Sequence, residues 1–190
     1  MSYKGPWGVQ IHMPFTGGTY LTRRLKGWHR GSRLAPMHDL PVTEWSHDRE
    51  FMTVRQIPDW YRSAHGYMSP KWRCGGTDSH LWNMISARLV HCRDDNFEGF
   101  VLKIKDKYPG LCSWAYSMYA VPGIELIHLD DVDAWLLANF GIETDNSEPI
   151  NSHRDPNVAV TKRIAAICRF MENPHWWRIT RSRPLLGEGG

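Results

Sequence analysis

Two groups of residues in this chain have the types and the spacing to handle an anion. The first is the turn Thr16-Gly17-Gly18-Thr19, between Val9-Gln10-Ile11-His12-Met13 and a run in which Leu21 and Leu25 share one helical face. Val9, Ile11 and Met13 alternate with polar residues, as in a partly buried strand, and Pro14 ends it. A strand, a glycine turn and a helix start together present free backbone N–H groups and the positive end of a helix dipole. The second group is Arg55 and Ser63, eight positions apart. Arg55 closes the apolar run Glu50-Phe51-Met52-Thr53-Val54, and Pro58 and Asp59 suit the first turn of a helix. A helix rises about 1.5 Å per residue, so a strand-end arginine and a serine early in the next helix can converge on one phosphate. Each group also has a plainer reading. The turn can be an ordinary strand-to-helix connection, and the arginine can pair with a carboxylate while the serine faces water.

The elements that would position these residues alternate along the chain. Strands are expected at 9–13, 50–55 and 124–129, with a brief one at Val42-Thr43. Helices are expected from the glycine turn to Lys26 and from Pro58 to Tyr67. A third begins after Thr77 or Asp78 and carries Leu81, Trp82, Ile85 and Leu89 on one face. A fourth, from Asn96 to Lys107, is stopped by Pro109-Gly110. Leu111 to Tyr119 fits no single pattern. Asp130 or Asp131 is placed to cap a helix with Val132, Trp135, Leu136 and Phe140 inward, closed by Gly141. The last helix is expected over 157–172, followed by a basic, then Gly-rich tail from Trp176. Strands alternating with helices predict an α/β fold with three layers, α/β/α, around a mostly parallel central sheet.

The chain has 190 residues and suits one domain over 1–190 with its tail from about 178. Its formal net charge of +3 does not describe a protein that coats nucleic acid, and is compatible with a small anion held locally. Four cysteines without a CxxC pair read as reduced, buried thiols, and the histidines show no ligand spacing, so no metal is expected. The start MSYKGPWG has no apolar run, and no stretch approaches the roughly 20 apolar residues of a membrane span. The expectation is a soluble, cytoplasmic protein with no nucleic-acid or membrane partner.

Taken together, Pro14-Phe15-Thr16-Gly17-Gly18-Thr19-Tyr20-Leu21 and Val54-Arg55-Gln56-Ile57-Pro58-Asp59-Trp60-Tyr61-Arg62-Ser63 resemble two segments of the sulfotransferase family. The first is similar to its 5'-phosphosulfate loop and the second to its 3'-phosphate segment, with the arginine-to-serine separation kept and the proline one place later. Ile124 to Ile142 is similar to the late strand and helix of that family. The resemblance implies a P-loop-like sulfotransferase fold. It also implies the co-substrate 3'-phosphoadenosine 5'-phosphosulfate (PAPS), and transfer of its sulfuryl group to a hydroxyl or amine on a small-molecule or glycan acceptor. By position, Thr16, Gly17, Gly18, Thr19 and Tyr20 would hold the 5'-phosphosulfate, Tyr20 would also stack near the adenine, and Arg55 and Ser63 would hold the 3'-phosphate.

Transfer needs a base for the acceptor proton and a cation for charge on the departing oxygen. Met37-His38-Asp39-Leu40-Pro41 resembles the stretch in which some sulfotransferases carry a catalytic histidine, which makes His38 the first candidate base and Asp39 the second, with Glu44 and His47 behind them. The family's loop lysine is Phe15 here. Three explanations stand at this point: another cation such as Arg23, Arg24 or Lys26 serves instead, the chain binds nucleotide without transfer, or the correspondence shifts locally. Late arginines, Arg178, Arg181 and Arg183, are further candidates for the 3'-phosphate. A nucleotide or small-molecule kinase is the third function class, against which stands the missing Gly-Lys-(Ser/Thr).

Overall fold

The computed structural model describes residues 3–28, 32–33, 49–68, 79–120, 122–144 and 158–181. Among them, five strands form one sheet in the order β3-β1-β2-β4-β5. The strands are β1 (Tyr3–Gly5), β2 (Gly8–Ile11), β3 (Ser32–Arg33), β4 (Glu50–Val54) and β5 (Glu125–His128). β2, β4 and β5 run parallel, with Ile11 opposite Met52 and Val54 opposite His128. The expectation of a mostly parallel sheet needs correction at the other edge, where β1 pairs antiparallel with both β2 and β3. Residues 3–11 form a hairpin there, with Tyr3 opposite Gln10. The sheet is therefore mixed, and its parallel half carries the glycine turn.

Side-chain alternation divides the core into two. Phe51 and Ile127 pack with Leu21 and Leu25 of α1 (Gly18–Trp28) and with Val132 and Leu136 of α6 (Val132–Phe140). Ile11, Met52 and Val54 face the other way. They meet α2 (Ile57–Tyr67), α3 (His80–His91), α4 (Phe97–Lys107), α5 (Leu111–Tyr119), α7 (Lys162–Met171) and α8 (Pro174–Thr180). Neighbouring strand residues point to opposite faces, so helices cover both sides of the sheet.

The helix boundaries follow local chemistry. Ser79 Oγ accepts from Trp82 N at 3.1 Å, one residue after the expected cap. Asn96 Oδ1 caps α4 through Glu98 N at 2.8 Å, and Thr161 Oγ1 starts α7 through Ile164 N at 3.2 Å, so this helix begins later than its apolar stripe suggested. The stretch over 111–119 resolves as α5, entered from Gly110 in the left-handed region. Asp131 makes no side-chain cap, and a short 3-10 turn over Leu129–Asp131 leads into α6 instead. Trp176 and Arg178 belong to α8 rather than to a tail. Cys92, Cys112 and Cys168 are buried free thiols. Burial pushes the Cys168 thiol up to about 12. Among the described residues no helix is long and apolar enough to cross a membrane, and no group of three or more His, Cys, Asp or Glu is placed to hold a metal ion.

Candidate functional site

The carboxyl ends of β2, β4 and β5 lie at one edge of the sheet, and the loops leaving them meet there. The turn after β2 is held from inside. Gln10 Nε2 donates to the carbonyl of Gly18 at 2.8 Å, and Thr22 donates to Gln10 Oε1 at 2.9 Å, so a buried amide on β2 fixes the first turn of α1. Gly17 has φ +84°, and a Cβ there would lie 2.3 Å from Leu129 Cδ1. At Gly18 a Cβ would meet the His12 ring at 2.1 Å. Both glycines are thus demanded by close approach, which the plainer reading of the turn also allows.

Three contacts join this turn to the β4–α2 junction. Thr16 Oγ1 donates to the carbonyl of Met13 at 2.9 Å and lies 3.1 Å from Thr53 Oγ1. With its proton on Met13, it accepts from Thr53. Trp60 Nε1 donates to the Pro14 carbonyl at 3.0 Å. Phe15 adopts φ 65° and sets its ring edge-on to Trp60 at 5.3 Å, beside Tyr67 and Trp82. The residue that stands where the resembled family has a lysine therefore points into the aromatic core.

A cavity of about 110 Å³ opens at this sheet edge. Arg55, Gln56, Asp59 and Arg62 line it from the β4–α2 junction, and His128, Leu129 and Asp130 from the end of β5. Leu129 also packs on Gly17, which brings the glycine turn to the cavity's border. Arg55 is 8% exposed. Burial lowers its guanidinium pKa, while Tyr116, Asp59 and Asp130 draw it upward and Arg62 pushes it down. Arginine starts above about 12, so it stays cationic at working pH. Arg62 pairs with Asp59 and reaches the Val158 carbonyl at 3.4 Å. The cavity holds arginine, histidine and carboxylate side chains together, a composition suited to an anionic ligand that also carries hydrogen-bond donors.

The sequence-expected residues are distributed as follows. Arg55 lines the cavity, and Gly17 borders it. Ser63 lies on α2, 9% exposed, and does not line the cavity. Thr16 is fully buried and its hydroxyl is engaged in the core, whereas Thr19 is exposed on the first turn of α1. Tyr20 packs in the cluster under α6 and donates from its hydroxyl to Asp133 at 2.6 Å. Burial and that carboxylate raise its pKa. The Arg24 guanidinium sits over the Tyr20 ring at 5.1 Å, and Lys26 over Tyr3 at 3.9 Å. His38, Asp39, Glu44, His47 and Arg183 lie outside the described residues. Arg178 is exposed and donates to the Pro174 carbonyl at 3.3 Å.

Arg62, His128 and Asp130 at the cavity were not singled out from the sequence. One signal could have found them. In a parallel sheet ligands gather at strand carboxyl ends, and His128 closes β5 as Arg55 follows β4. Asp130 carried a plausible capping role, which drew attention from this one. In comparisons with protein-family models, curated proteins and solved structures, no match to the chain emerged.

Proposed function

We propose that the chain is a PAPS-dependent sulfotransferase with a P-loop-like fold, acting on a hydroxyl or amine of a small-molecule or glycan acceptor. One observation carries the reading. A strand–glycine turn–helix unit and a strand–arginine–helix unit stand as parallel neighbours, with their ligand ends at the same sheet edge. The resemblance of these two segments to the 5'- and 3'-phosphate segments of sulfotransferases asks for that arrangement. In this reading the amides at the start of α1 hold the phosphosulfate, and Arg55, which lines the cavity, holds the 3'-phosphate. The acceptor oxygen or nitrogen attacks sulfur, and the bond from sulfur to the bridging oxygen breaks. The bisphosphate nucleotide leaves, and His38 or Asp39 takes the acceptor proton.

A second reading has its own observation. Phe15 is turned into the aromatic core, so residue 15 supplies no charge to the bridging oxygen. A protein that binds the nucleotide without transferring its sulfuryl group would keep the two phosphate positions and lose the rate. Under the first reading Arg62 is the cation at the cavity that replaces the lysine, with the His128 ring beside it.

Calorimetric titration with 3'-phosphoadenosine 5'-phosphate and with AMP tests the shared premise. The bisphosphate is expected to bind more tightly, and Arg55→Ala to weaken it by about 1.5–3 kcal/mol, the scale of a hydrogen bond to a charged group. Equal affinity for the two nucleotides overturns both readings. Sulfuryl transfer from PAPS to a panel of phenols, alcohols, amines and glycans then separates them, because binding without transfer supports the second.

A further inference from the structure

Arg55 is the first residue beyond the β4–β5 ladder, whose pairing ends at Val54 and His128. Its main-chain groups have passed the point where a strand supplies partners. One side chain takes both. The Tyr116 hydroxyl accepts from Arg55 N–H and donates to the Arg55 carbonyl, each at 2.9 Å. Tyr116 comes from α5, far away in sequence, and is completely buried.

The phenol is itself held. Its ring stacks on Trp176 of α8 at 5.1 Å and 18°, and Trp176 Nε1 donates to Ser117 Oγ at 2.8 Å. Burial pushes the phenol's pKa well up, so the proton needed for the bond to the carbonyl stays in place. A protonated hydroxyl that donates and accepts at one residue removes rotation about the two backbone dihedrals flanking it. The direction in which the side chain leaves the sheet edge is then fixed as well.

We infer that Tyr116 is a positioning residue: it stands in for the absent strand partner at the end of β4 and aims the Arg55 guanidinium into the cavity. The inference rests on the reading of Arg55 as the ligand of a 3'-phosphate.

The test measures the affinity ratio of 3'-phosphoadenosine 5'-phosphate to AMP, since the two differ in the phosphate assigned to Arg55. Tyr116→Phe keeps the stacked ring and removes the hydroxyl. It is expected to cut the ratio by about tenfold with AMP affinity unchanged. Tyr61→Phe removes another buried hydroxyl from the same core, one that bonds Glu172 and Cys112 N rather than Arg55. It should lower the melting temperature and leave the ratio alone. If Tyr116→Phe lowers the melting temperature and keeps the ratio, Tyr116 is structural and the inference is overturned. If Arg55→Ala keeps the ratio, the phosphate role of Arg55 falls first and takes the inference with it. Hydrogen exchange on the unaltered chain gives a readout independent of any variant's folding. The Arg55 amide is expected to exchange as slowly as that of Val54, and exchange at the rate of an open loop overturns the clamp.

Discussion

Phe15 places two local costs in opposition. A non-glycine residue in the left-handed region gives up about 1–2 kcal/mol. Edge-on aromatic contacts contribute roughly 0.5–1.5 kcal/mol each beyond the area they bury, and Phe15 makes them with Trp60 and Tyr67. Packing wins, and the backbone bends to deliver the ring. Removing the ring is expected to cost less than the about 3–5 kcal/mol of a fully buried phenylalanine, because Phe15 is partly exposed. Urea unfolding should show Phe15→Ala destabilised by about 2–3 kcal/mol. Phe15→Gly should lose about 1 kcal/mol less, since glycine accepts φ 65° freely. If the alanine variant is the more stable of the two, the strain account of this turn is wrong.

At the scale of elements, the turn between β2 and α1 depends on Gly17 for its approach to the segment after β5. Gly17→Ala is expected to lower stability by about 1–3 kcal/mol, from left-handed strain and from crowding Leu129. It should also displace Leu129 from the cavity wall, so binding of 3'-phosphoadenosine 5'-phosphate falls together with the melting temperature. Binding unaffected by this substitution would separate the cavity from the glycine turn. Elements whose apolar spacing matched their period were legible in the sequence. α3 buries Leu81, Trp82, Ile85 and Leu89, and α4 buries Phe97, Phe100, Val101 and Ile104, as their stripes predict. Other described elements were missed or misread for physical reasons. β1 has three residues, too few to show alternation. α5 is buried on most sides, at Leu111, Cys112, Ser113, Ala115, Tyr116 and Tyr119, and an all-round apolar segment carries no period. α8 did announce itself through Asn173, which caps it, and Pro174 at its start, but the basic residues after them suggested a tail. The sheet edge that gathers Arg55 with His128 follows from register between strands, which composition does not express. Arg55 itself could be read from its place at a strand end, whereas its partner Tyr116 could not, because nothing local links them.

Across the whole molecule, one buried carboxylate joins three helices on the same side of the sheet. Glu172, 4% exposed, follows α7 and accepts from the Tyr61 hydroxyl of α2 and from Ser113 N of α5 at 2.7 Å. Tyr61 in turn accepts from Cys112 N at 3.1 Å. α2 carries Asp59 and Arg62 to the cavity, and α5 carries Tyr116 to Arg55, so this knot ties together the helices behind the site. Glu172→Gln keeps the volume but brings an amide donor against one of two donors. Thermal and urea unfolding should show a loss of about 1.5–3 kcal/mol, a large fraction of the stability of a domain this size. An unchanged midpoint would mean that the knot is ornamental to the fold.

The antiparallel and parallel halves of the sheet differ in how far the chain travels to build them. Tyr3 finds Gln10 within a hairpin, whereas Phe51 finds Glu125 only after α2, α3, α4 and α5 have intervened. Closing the second pair loses the entropy of a long loop before any contact repays it, and such topologies fold slowly. Gly17, Arg55 and Leu129 become neighbours only through that long-range closure. On the proposed function, a nucleotide bound across them would have nothing to grip until that closure is made, so it would slow unfolding and leave the rate of folding almost untouched.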